Sequence, residues 1–564
     1  MNNQTKKWEV LGELKNSDIL DILLKNRGIR TKKQKETFFN PTPPFSVDLK
    51  ILGIDGAQVK RAIKRILKAK TVGEKVIVYG DYDADGICGT AILWECLNSQ
   101  GFDVLPYIPE RFSEGYGLNI DSISKLKTQN PKLGLIITVD HGIVAGKKVD
   151  VAGELGIDVI ITDHHQPGKI TPKAFALVHT PKISGAAVAW VLAREIRKSI
   201  KYQVSSIKSG DGLELAAIGT IADQLPLLGP NRSFAKYGLE ALNKTTRPGL
   251  LALFKEAGIK AGLAPQSASE VGPYEVGFMI APRLNAMGRL EHAIDSLRLL
   301  CTKDKGRADT LATHLGRTNQ ERQKIVEEVV VHARGFVKKV GEQKLIVLAH
   351  ESYHEGVIGL AASRLVEEFY RPAIVISNKG KVAKASARSI PGFDIVEAIR
   401  RLEDLLLESG GHPMAAGFSI EARRIKEFSQ RINQLSQPLL TEKLLTKKLK
   451  IDTTIHFNQL NWNLYKMLSA FEPTGLGNPT PVFLTKGVTI LDARVVGRDA
   501  RHLKLRLEED AGNSFDAIGF GLASYFQSLT PHGKVDVAYT LEENTWNQEK
   551  TLQLKVKDIR ISEK

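Results

Sequence analysis

Short apolar, β-branched runs alternate with helical stretches along the chain from about Val76. Four runs predict strands, and they read KVIVYG, FDVLPYI, LGLIITV and IDVIITD. The intervening CGTAILWECLNSQ and GIVAGKKVDVAGEL have a helical period, as do SGAAVAWVLAREIRKSI and ELAAIGTIADQ further along. This alternation predicts an α/β fold with a largely parallel sheet that is covered by helices.

The regions around this sheet have different patterns. The N-terminal residues are polar and basic and predict a short helical lead-in that ends in an irregular linker. Residues 231–340 predict helices with an interruption at APRLNAMGRL, and KLIVLAH, GVIGLAASRLVEEFY and PAIVIS then predict a smaller α/β domain. About five candidate strands near the C-terminus predict a small antiparallel barrel of the OB type. The expected divisions are a lead-in (1–50), a parallel-sheet domain (51–235), a helical connector (236–340), a smaller α/β domain (341–435) and an OB-like barrel (440–564).

Length and composition bound the class of protein. A chain of 564 residues is too long for one ordinary domain, and 42% apolar with 25% charged residues is ordinary for folded protein. The sequence has no signal-peptide pattern and no run as long as a membrane span, so a cytoplasmic location without membrane contact is expected. Cys88, Cys96 and Cys301 form no C-x-x-C pair, which favours core thiols over a zinc or disulfide site.

The positive charge is unevenly distributed. The chain has a formal net charge of +16 and a pI of about 9.4. Residues 441–564 hold 17 Lys and Arg against 15 Asp and Glu, whereas residues 1–440 hold 62 against 48. Most of the attraction for an anion therefore lies in the first three quarters of the chain. The charge fits a polyanionic partner such as nucleic acid, and it equally fits a generally basic soluble protein.

The segment VIVYGDYDADGICGT places Asp81, Asp83 and Asp85 at alternate positions before a glycine. A calcium-binding EF-hand loop begins in the same way, but it needs a preceding helix and a glutamate at its twelfth position. Here the preceding segment is an apolar β-branched strand, and the twelfth residue is Ile92. The segment is therefore not an EF-hand loop.

Acidic and imidazole side chains follow three of the predicted strands where each strand ends, and one helix brings another carboxylate. They are Asp81, Asp83 and Asp85 after KVIVYG, Asp140 after LGLIITV, Asp163, His164 and His165 at the end of IDVIITD, and Asp223 at the end of ELAAIGTIADQ. In an open parallel sheet the carboxyl ends of the strands meet at one edge, where ligands bind. Six carboxylates at one edge repel one another unless cations neutralise them.

Oxygen-rich ligation with one or two imidazoles suits Mn²⁺ or Mg²⁺ better than a structural zinc ion. The ligands suffice for two ions about 3.5 to 4 Å apart, the arrangement that clamps a phosphate during in-line displacement. Taken singly, each motif has a simpler interpretation: a solvated turn, a pair of surface or capping histidines, and an aspartate that ends a helix. Their coincidence at one edge of the sheet favours the metal site.

Four segments in this order, GDYDADG, TVDHG, DHH and GTIADQLPL, resemble the motifs of the DHH phosphoesterase superfamily. The wider chain, over about residues 50–560, resembles its RecJ branch of bacterial single-strand-specific 5′ to 3′ exonucleases. APRLNAMGRL, SARSIPGFDI and GGHPMAAGF resemble further signatures of that branch, and FEPTGLGNPTPVF resembles the start of its OB domain. The resemblance implies a DHH phosphoesterase domain, a helical connector, a DHH-associated α/β domain and a C-terminal OB-like β-barrel.

The resemblance implies roles for the metal ligands. It makes Asp83 and Asp85 ligands and Asp140 a bridge between two ions. His164 and Asp223 complete the second site. The resemblance leaves open whether Asp81 and Asp163 bind metal directly or support the ligands. His141 stands where many relatives carry another residue, and it is expected not to be a ligand.

The resemblance also implies residues that act on the substrate. Asp140, His165, Arg388 and His412 are the expected catalytic residues, with His165 facing the phosphate and the last two holding it from the opposite wall. A further set is expected to bind the nucleotide: Arg283, Asn285, Arg289, Ser386, Gly410 and Gly411.

By resemblance, the chain is expected to degrade single-stranded DNA from the 5′ end to nucleotide 5′-monophosphates in DNA repair and recombination, with two Mn²⁺ or Mg²⁺ ions as cofactors. A monomer is expected, with single-strand-binding protein and a helicase as candidate partners besides single-stranded DNA. Two other functions stay open: a DHH phosphodiesterase acting on short oligonucleotides or cyclic dinucleotides, and a non-catalytic DNA-binding protein. The OB-like region and the positive charge disfavour the first, and the complete set of candidate ligands disfavours the second.

Overall fold

The fold is that of a computed structural model, which describes residues 6–14, 18–200, 212–260, 270–340, 343–509, 512–546 and 549–562. The chain divides into two compact units. The central unit comprises residues 42–225 and 230–445. The terminal unit comprises residues 1–41, 226–229 and 446–564.

Strands and helices are numbered in chain order. The strands are β1 (Lys7–Gly12), β2 (Lys75–Gly80), β3 (Val104–Tyr107), β4 (Leu133–Val139), β5 (Asp158–Asp163), β6 (Ala176–His179), β7 (Ile346–His350), β8 (Ala373–Ser377), β9 (Val382–Arg388), β10 (Leu406–His412), β11 (Ala415–Glu421), β12 (Lys448–Thr454), β13 (Phe483–Val496), β14 (His502–Glu509), β15 (Asn513–Gly519), β16 (Lys534–Trp546) and β17 (Glu549–Ile561). The helices are α1 (Ile19–Asn26), α2 (Lys32–Phe39), α3 (Leu49–Leu52), α4 (Gly56–Val72), α5 (Ala84–Ser99), α6 (Ile120–Gln129), α7 (Gly146–Glu154), α8 (Gly185–Ser199), α9 (Leu213–Ala222), α10 (Gly229–Asn243), α11 (Pro248–Glu256), α12 (Pro273–Glu275), α13 (Ala281–Leu290), α14 (Ile294–Cys301), α15 (Lys305–Val340), α16 (Ile358–Phe369), α17 (Ile395–Arg400), α18 (Ile425–Ser436), α19 (Glu442–Leu445) and α20 (Trp462–Ser469). Across the described ranges, no helix combines the length and the apolar character needed to cross a membrane.

The predicted parallel sheet is present in the central unit. Its five strands are all parallel and lie in the order β3-β2-β4-β5-β6. Helices α4, α5 and α8 pack on one face, and α6 and α7 pack on the other. Since both faces are covered, β4 is buried along its whole length and reads as a continuous apolar run. The sequence pattern missed β6, which has only four residues.

Close packing brings α5 onto the sheet. Gly89 lies in α5, and a Cβ added there would lie 2.6 Å from Val139 Cγ1 and 3.1 Å from the Cα atom of Ala186 in α8. Cys88 and Cys96 on the same helix are buried free thiols, as the sequence predicted for the cysteines. The helix that follows the first acidic motif is therefore held tightly against β4 and α8.

Between α9 and β7 the described residues form mainly helices, and residues 261–269 and 341–342 lie outside the description. The predicted interruption at APRLNAMGRL is wrong, because this segment forms α13. Its proline follows directly after a π-helical turn at Val276–Ile280, and such an irregular turn is where a continuous helix can accommodate a residue without an N–H group.

The predicted smaller α/β domain contains a five-stranded mixed sheet in the order β10-β11-β9-β8-β7. Only β7 and β8 are parallel, and the other neighbours are antiparallel. Helices α15 and α16 cover one face, and α17 and α18 cover the other. The sheet thus places the segments SARSIPGFDI and GGHPMAAGF on neighbouring strands.

The terminal unit contains the predicted barrel. Its strands follow the order β13-β14-β15-β17-β16, and pairing of β13 with β16 closes it. The expectation of an all-antiparallel barrel is wrong in one respect, because β15 and β17 pair in parallel. Strand β17 can run parallel to β15 because the long β16, which is antiparallel to β17, first carries the chain back across the barrel. The α/β fold class with a C-terminal OB-like barrel is confirmed.

The N-terminal segment joins this barrel sheet. The expected helical lead-in instead begins with β1, which pairs in parallel with β12, and the two helices α1 and α2 follow it. Arg27 after α1 makes a buried ion pair with Asp452 at 3.1 Å. Local sequence did not indicate this strand, because its partner lies more than four hundred residues away.

Candidate active site

The loop after β2 holds its acidic side chains through backbone N–H groups. Asp83 caps the N-terminus of α5, where its Oδ1 accepts hydrogen bonds from the N–H groups of Asp85 and Gly86 at 3.0 Å. The Asp85 carboxylate accepts from the N–H groups of Gly185 and Ala186, at 2.7 and 2.9 Å, in the first turn of α8. Two helix N-termini therefore stabilise the negative charge of this loop.

Asp140, directly after β4, has a strained backbone. Its φ of +65° lies in the left-handed region, which costs a non-glycine residue about 1 kcal/mol or more. Neighbours hold this conformation: the N–H group of Asp140 donates to Thr162 O at 2.9 Å, and the Thr138 hydroxyl donates to His141 O at 2.7 Å. The Asp140 side chain is thereby turned into a buried position at the edge of the sheet.

Asp163 at the end of β5 is fully occupied by hydrogen-bond donors. Its Oδ1 accepts from the N–H groups of His164 and His165, at 2.7 and 3.1 Å, and from His165 Nδ1 at 2.8 Å. Its Oδ2 accepts from the N–H group of Ile143 at 2.9 Å. Burial raises the pKa of Asp163, but these hydrogen bonds and the charge on His165 outweigh it and hold the pKa below its usual range. Asp163 therefore positions the His165 ring.

His164 faces carboxylates from three elements. Its Nε2 lies 3.1 Å from Asp140 Oδ1, 3.5 Å from Asp223 Oδ2 and 3.8 Å from Asp85 Oδ2. Asp223 reaches this place because α9 ends there. Burial, and then the neighbouring His165, lowers the pKa of His164 to about 4. The ring is neutral near pH 7 and can bind a metal ion.

Three groups of side chains in the described ranges have the geometry to hold a metal ion. In each group the ligand atoms lie within 4.8 Å of one another. The groups are Asp81, Asp83 and Asp140; Asp85, His164 and Asp223; and Asp140, His164 and His165. Asp140 and His164 each belong to two groups, so the three form one cluster. Asp163 belongs to none of them.

The crowded carboxylates carry an electrostatic penalty. Burial, and then Asp83, raises the pKa of Asp85 to about 7, and burial, followed by Asp85, raises the pKa of Asp223 to about 8. The pKa values of Asp81 and Asp140 are also well above the ordinary value, because both side chains are buried among carboxylates. The buried atoms Asp81 Oδ1 and Asp140 Oδ1 receive no well-aligned hydrogen bond from any described residue. Divalent cations would offset the repulsion among the carboxylates and would bind the oxygens that lack hydrogen bonds, so these residues fit a two-metal centre.

Two glycines make room for the carboxylates. A Cβ added to Gly185 at the start of α8 would overlap Asp140 Oδ1. A Cβ added to Gly219 within α9 would overlap Asp85 Oδ1. Both helices therefore approach the cluster as closely as their backbones allow. Glycine is required here for space, since neither residue has a positive φ.

Arg388 and His412 share one face of the mixed sheet. Ala415 on β11 pairs with His412 on one side and with Arg388 on the other, so the three side chains point the same way. The Arg388 Nη1 donates to Ser386 Oγ at 3.1 Å. An arginine, a serine hydroxyl and an imidazole thus lie along one surface of the sheet.

The two glycines of the GGH segment differ in their surroundings. Gly410 pairs with Gly417, which in turn pairs with Ser386, and an added Cβ at Gly410 meets nothing within 4 Å. Gly411 has a φ of +142°, and an added Cβ there would overlap the backbone of Ala415. Gly410 leaves open space, whereas Gly411 is needed for the close pairing of β10 with β11.

Helix α13 connects the acidic loop with the rest of the central unit. The Asn285 Oδ1 accepts a hydrogen bond from the N–H group of Ala84 at 2.6 Å, so Asn285 supports the loop that carries the acids. Arg283 instead pairs with Glu256 at 2.5 Å and donates to Met279 O at 2.8 Å. Of these two predicted nucleotide-binding residues, only Asn285 directly contacts the acidic loop.

Arg289 lies between the two sides of the site. It is within electrostatic range of Asp83 on the acidic loop and of Arg388 on the mixed sheet. Burial, and then the like charge of Arg111, lowers the pKa of Arg289 to about 10. Arg289 therefore stays charged and contributes to a positive wall beside the acidic cluster.

Arg111 belongs to the same wall, and the sequence pattern did not indicate it. It lies in the loop between β3 and α6, with its guanidinium 5.0 Å from the ring centroid of Tyr82. It acts electrostatically on Asp81 as well as on Arg289. A single arginine in PERFSEGYG gave no local signal of this position.

Tyr116 in that loop was also missed. Its hydroxyl donates to Asp140 O at 3.2 Å and lies 3.4 Å from His165 Nε2. Two glycines with positive φ flank it, Gly115 and Gly117, and they are the one sequence signal of an unusual turn. The loop crosses the sheet edge because of these turns.

His141 lies outside the ligand groups. Its Nε2 lies 2.9 Å from Tyr79 O, and burial lowers its pKa to about 4. The neutral ring therefore anchors the strand end against β2.

Three domain families match successive parts of the chain. Residues 75–220 match the DHH family, N-terminal domain, and residues 342–437 match the DHHA1 domain. Residues 451–558 match the RecJ OB domain.

Full-length relatives match in the same order. The single-stranded-DNA-specific exonuclease RecJ of Bacillus subtilis (strain 168) is 35% identical over 573 residues, which cover 100% of this chain and 70% of that protein. The crystal structure of RecJ from Thermus thermophilus in complex with Mn²⁺ has a TM-score of 0.83 and 30% identity, covering 100% of this chain and 81% of that one. The structure of the same protein with Mg²⁺ has a TM-score of 0.74 and 28% identity, covering 99% and 79%.

Proposed function

The chain belongs to the RecJ family of DHH phosphoesterases, and we propose that it is a metal-dependent exonuclease specific for single-stranded DNA. It hydrolyses phosphodiester bonds from the 5′ end and releases nucleotide 5′-monophosphates, in DNA repair and recombination. The family likeness supports the polarity and the preference for single strands. The site geometry supports the hydrolysis.

The observation that carries the proposal is the convergence of buried acids and imidazoles from three strands and a helix. Asp140 and His164 are each shared between ligand groups, as expected of side chains that lie between two ions. The ligand set, which is rich in oxygen and includes histidine, fits the Mn²⁺ and Mg²⁺ ions that the Thermus thermophilus structures contain. When bound, a pair of such ions supplies a hydroxide near neutral pH and offsets charge on the phosphate and the leaving oxygen.

The three groups support an assignment of the ligands. Asp81 and Asp83 would hold one ion, and Asp85, His164 and Asp223 would hold the other. Asp140, whose Oδ1 lies 3.1 Å from His164 Nε2, would contribute to both sites. Asp163 stays outside both sets because it belongs to none of the three ligand groups, and its carboxylate instead holds His165 Nδ1.

His165 binds the scissile phosphate. Burial lowers its pKa, but the hydrogen bond with Asp163 and the nearby carboxylates outweigh burial and raise the pKa to about 9. Asp163 fixes Nδ1, whereas Nε2 lies 3.4 Å from the Tyr116 hydroxyl on a side chain that is 42% exposed. A protonated ring held in this way donates a charge-assisted hydrogen bond to a non-bridging phosphate oxygen.

The positive wall binds the phosphates on either side of the cleaved bond. The planar guanidinium of Arg388 can donate hydrogen bonds to two phosphate oxygens at once, which a lysine cannot do. His412 and Ser386 add hydrogen-bonding contacts along the same face of the sheet. Arg289 and Arg111 extend the wall towards the acidic loop. Bound phosphate therefore lies between fixed cations and the metal cluster.

Digestion of end-labelled DNA tests this proposal. The protein is incubated with single-stranded or duplex DNA and with Mn²⁺, Mg²⁺ or a chelator. Mononucleotides are expected from the single strand only, from its 5′ end, and only with metal. Asp140→Ala is expected to abolish release while DNA binding persists, whereas Asp150→Ala, on the exposed side of α7, is expected to behave as wild type. Full activity of Asp140→Ala, or faster cleavage of a dinucleotide than of a long strand, would contradict the proposal.

The cellular setting is proposed on the same basis. The protein acts as a monomer in the cytoplasm, on single strands that a helicase exposes and single-strand-binding protein covers. Sedimentation of the purified protein and pull-down with the two candidate partners test these statements.

A further inference from the structure

Two aromatic side chains stack on each other at the surface of the central unit. Tyr274 and Phe278 have ring centroids 5.0 Å apart and ring planes at 28°. They are 64% and 70% exposed, respectively. A Cβ added to Gly277 between them would meet nothing within 4 Å, so open space adjoins the rings. Large contiguous apolar surface that stays in water marks an interaction site.

The backbone under this pair is irregular in a way that favours a function. Phe278 lies within the π-helical turn Val276–Ile280, a geometry that is rare and concentrates at functional sites. Val276 and Ile280 of that turn are fully buried, and the turn packs against α9. The buried residues fix the turn, and the two aromatic rings are presented outwards.

The helical segment that carries the pair leads to the candidate metal cluster. The turn continues directly into α13, where Asn285 holds the acidic loop through the N–H group of Ala84. Asn285 lies seven positions after Phe278, which corresponds to about 10 Å along a helix. On its other side the turn packs against α9, the helix that ends at Asp223.

Two arginines lie on the helical segment that follows the rings and on the neighbouring helix α15. Arg283 follows Phe278 on the same helical segment, and Arg322 of α15 lies within electrostatic range of it. Glu256 neutralises only one of the two arginines. Exposed aromatic rings bind unpaired nucleotides because every base can stack, and positive charge on neighbouring turns of helix attracts the phosphates.

We propose that Tyr274 and Phe278 form a stacking platform for unpaired bases of the substrate strand, a few nucleotides to the 3′ side of the cleaved bond. This inference rests on the proposed exonuclease function and adds a base-binding subsite to it. The positive charge of Arg322 on α15, which lies within electrostatic range of Arg283, favours the phosphates of a strand bound along this segment. The platform acts on strands long enough to reach it and leaves cleavage of a dinucleotide unaffected.

Kinetics with substrates of two lengths test the platform. Tyr274→Ala/Phe278→Ala is expected to raise the KM for an oligonucleotide of roughly a dozen nucleotides about tenfold, with kcat unchanged. Its hydrolysis of a dinucleotide is expected to equal that of wild type. The exchange variant Tyr274→Phe/Phe278→Tyr keeps both rings and is expected to retain the wild-type KM. Trp462→Ala removes an exposed aromatic ring from the other unit and serves as a control.

Abasic substitution locates the stacked bases. Removing one base at a time from the oligonucleotide is expected to raise the wild-type KM within a short window of positions. With the double alanine variant, base removal at these positions is expected to leave the KM unchanged. Three results for the double alanine variant would each contradict the platform. They are an unchanged KM for the oligonucleotide, a loss of activity that also affects the dinucleotide, and a loss of activity seen only when another protein is present. Failure of wild type to degrade single strands would instead refute the exonuclease proposal, so the two failures are distinguishable.

Discussion

Gly219 lies directly against Asp85, so that a single methyl group on this glycine would overlap the Asp85 carboxylate. Asp85 cannot yield easily, because both of its oxygens accept hydrogen bonds from the first turn of α8. The spacing of α9 from the acidic loop is therefore set by the absence of one side chain.

Gly219→Ala is expected to displace Asp85 or α9 and to lower kcat/KM on single-stranded DNA about a hundredfold. Steady-state kinetics and Mn²⁺ titration calorimetry measure the effect. Gly153→Ala on the exposed surface of α7 is the matched control, since an added Cβ there meets nothing within 4 Å. The control should be active and slightly more stable. Wild-type activity of Gly219→Ala would contradict the close approach.

Asp163→Asn separates a positioning role from metal binding. An asparagine keeps the size, but its NH₂ group cannot accept a hydrogen bond, so it cannot satisfy both the Ile143 N–H group and the donors from His164 and His165. Activity is expected to fall about 10- to 100-fold, while the stoichiometry of Mn²⁺ binding stays unchanged. Loss of one bound ion in calorimetry would instead make Asp163 a ligand. Asp150→Asn is the control on α7.

Arg388→Lys keeps the positive charge and removes the planar guanidinium group. The lysine ammonium can bind one phosphate oxygen where the guanidinium binds two, so a KM about tenfold higher is expected. Arg364→Lys changes an exposed arginine on α16 in the same way and should have no effect on KM. Equal KM values for wild type and Arg388→Lys would show that Arg388 does not contact the substrate.

Metal binding is expected to stabilise the central unit. The crowded carboxylates repel one another without metal, and ions that bind only the folded state raise its melting temperature. Thermal melting of wild type should rise with Mn²⁺ and fall back with a chelator. Asp140→Asn removes one buried charge, so it should melt above wild type in chelator and respond less to Mn²⁺. A variant that melts below wild type in chelator and keeps the full Mn²⁺ response would contradict this prediction.

Arg27 is expected to be essential for the stability of the terminal unit. Its guanidinium contacts Asp452 Oδ1 at 3.1 Å, Asn478 Oδ1 at 2.9 Å and Leu23 O at 2.7 Å, and it is almost fully buried. Arg27→Ala leaves the buried Asp452 carboxylate without its cation, and the cost is about 3–5 kcal/mol. Urea unfolding measures this loss, with the exposed Arg30→Ala as the control. A loss below about 1 kcal/mol would contradict the prediction.

The acidic edge was accessible to sequence reasoning because it depends on topology alone. Once KVIVYG, LGLIITV and IDVIITD are recognised as parallel strands, the residues after them must meet at one edge. The structure places Asp81, Asp140 and His164 together there as a result. The resemblance of SARSIPGFDI and GGHPMAAGF to further signatures of the family added the residues expected on the opposite wall, which no pattern of strands indicates.

Other features depend on contacts between distant segments. The pattern of KWEVLG alone does not reveal that β1 pairs with β12, because strand partners are chosen by tertiary packing. APRLNAMGRL was predicted to interrupt a helix because of its proline and glycine. The π-helical turn before it allows α13 to begin there, and Gly288 is packed closely against the backbone of Tyr82.

The sequence by itself determined the alternating strands and helices, the edge where the acids gather and the family motifs, since each follows from local periodicity and chain order. Only the tertiary structure decided that Asp163 is occupied by hydrogen bonds, that Gly185 and Gly219 make room for carboxylates, and that Arg111 and Tyr116 reach the site. These features depend on interatomic distances between segments far apart in the chain, and distances are set when the whole domain packs.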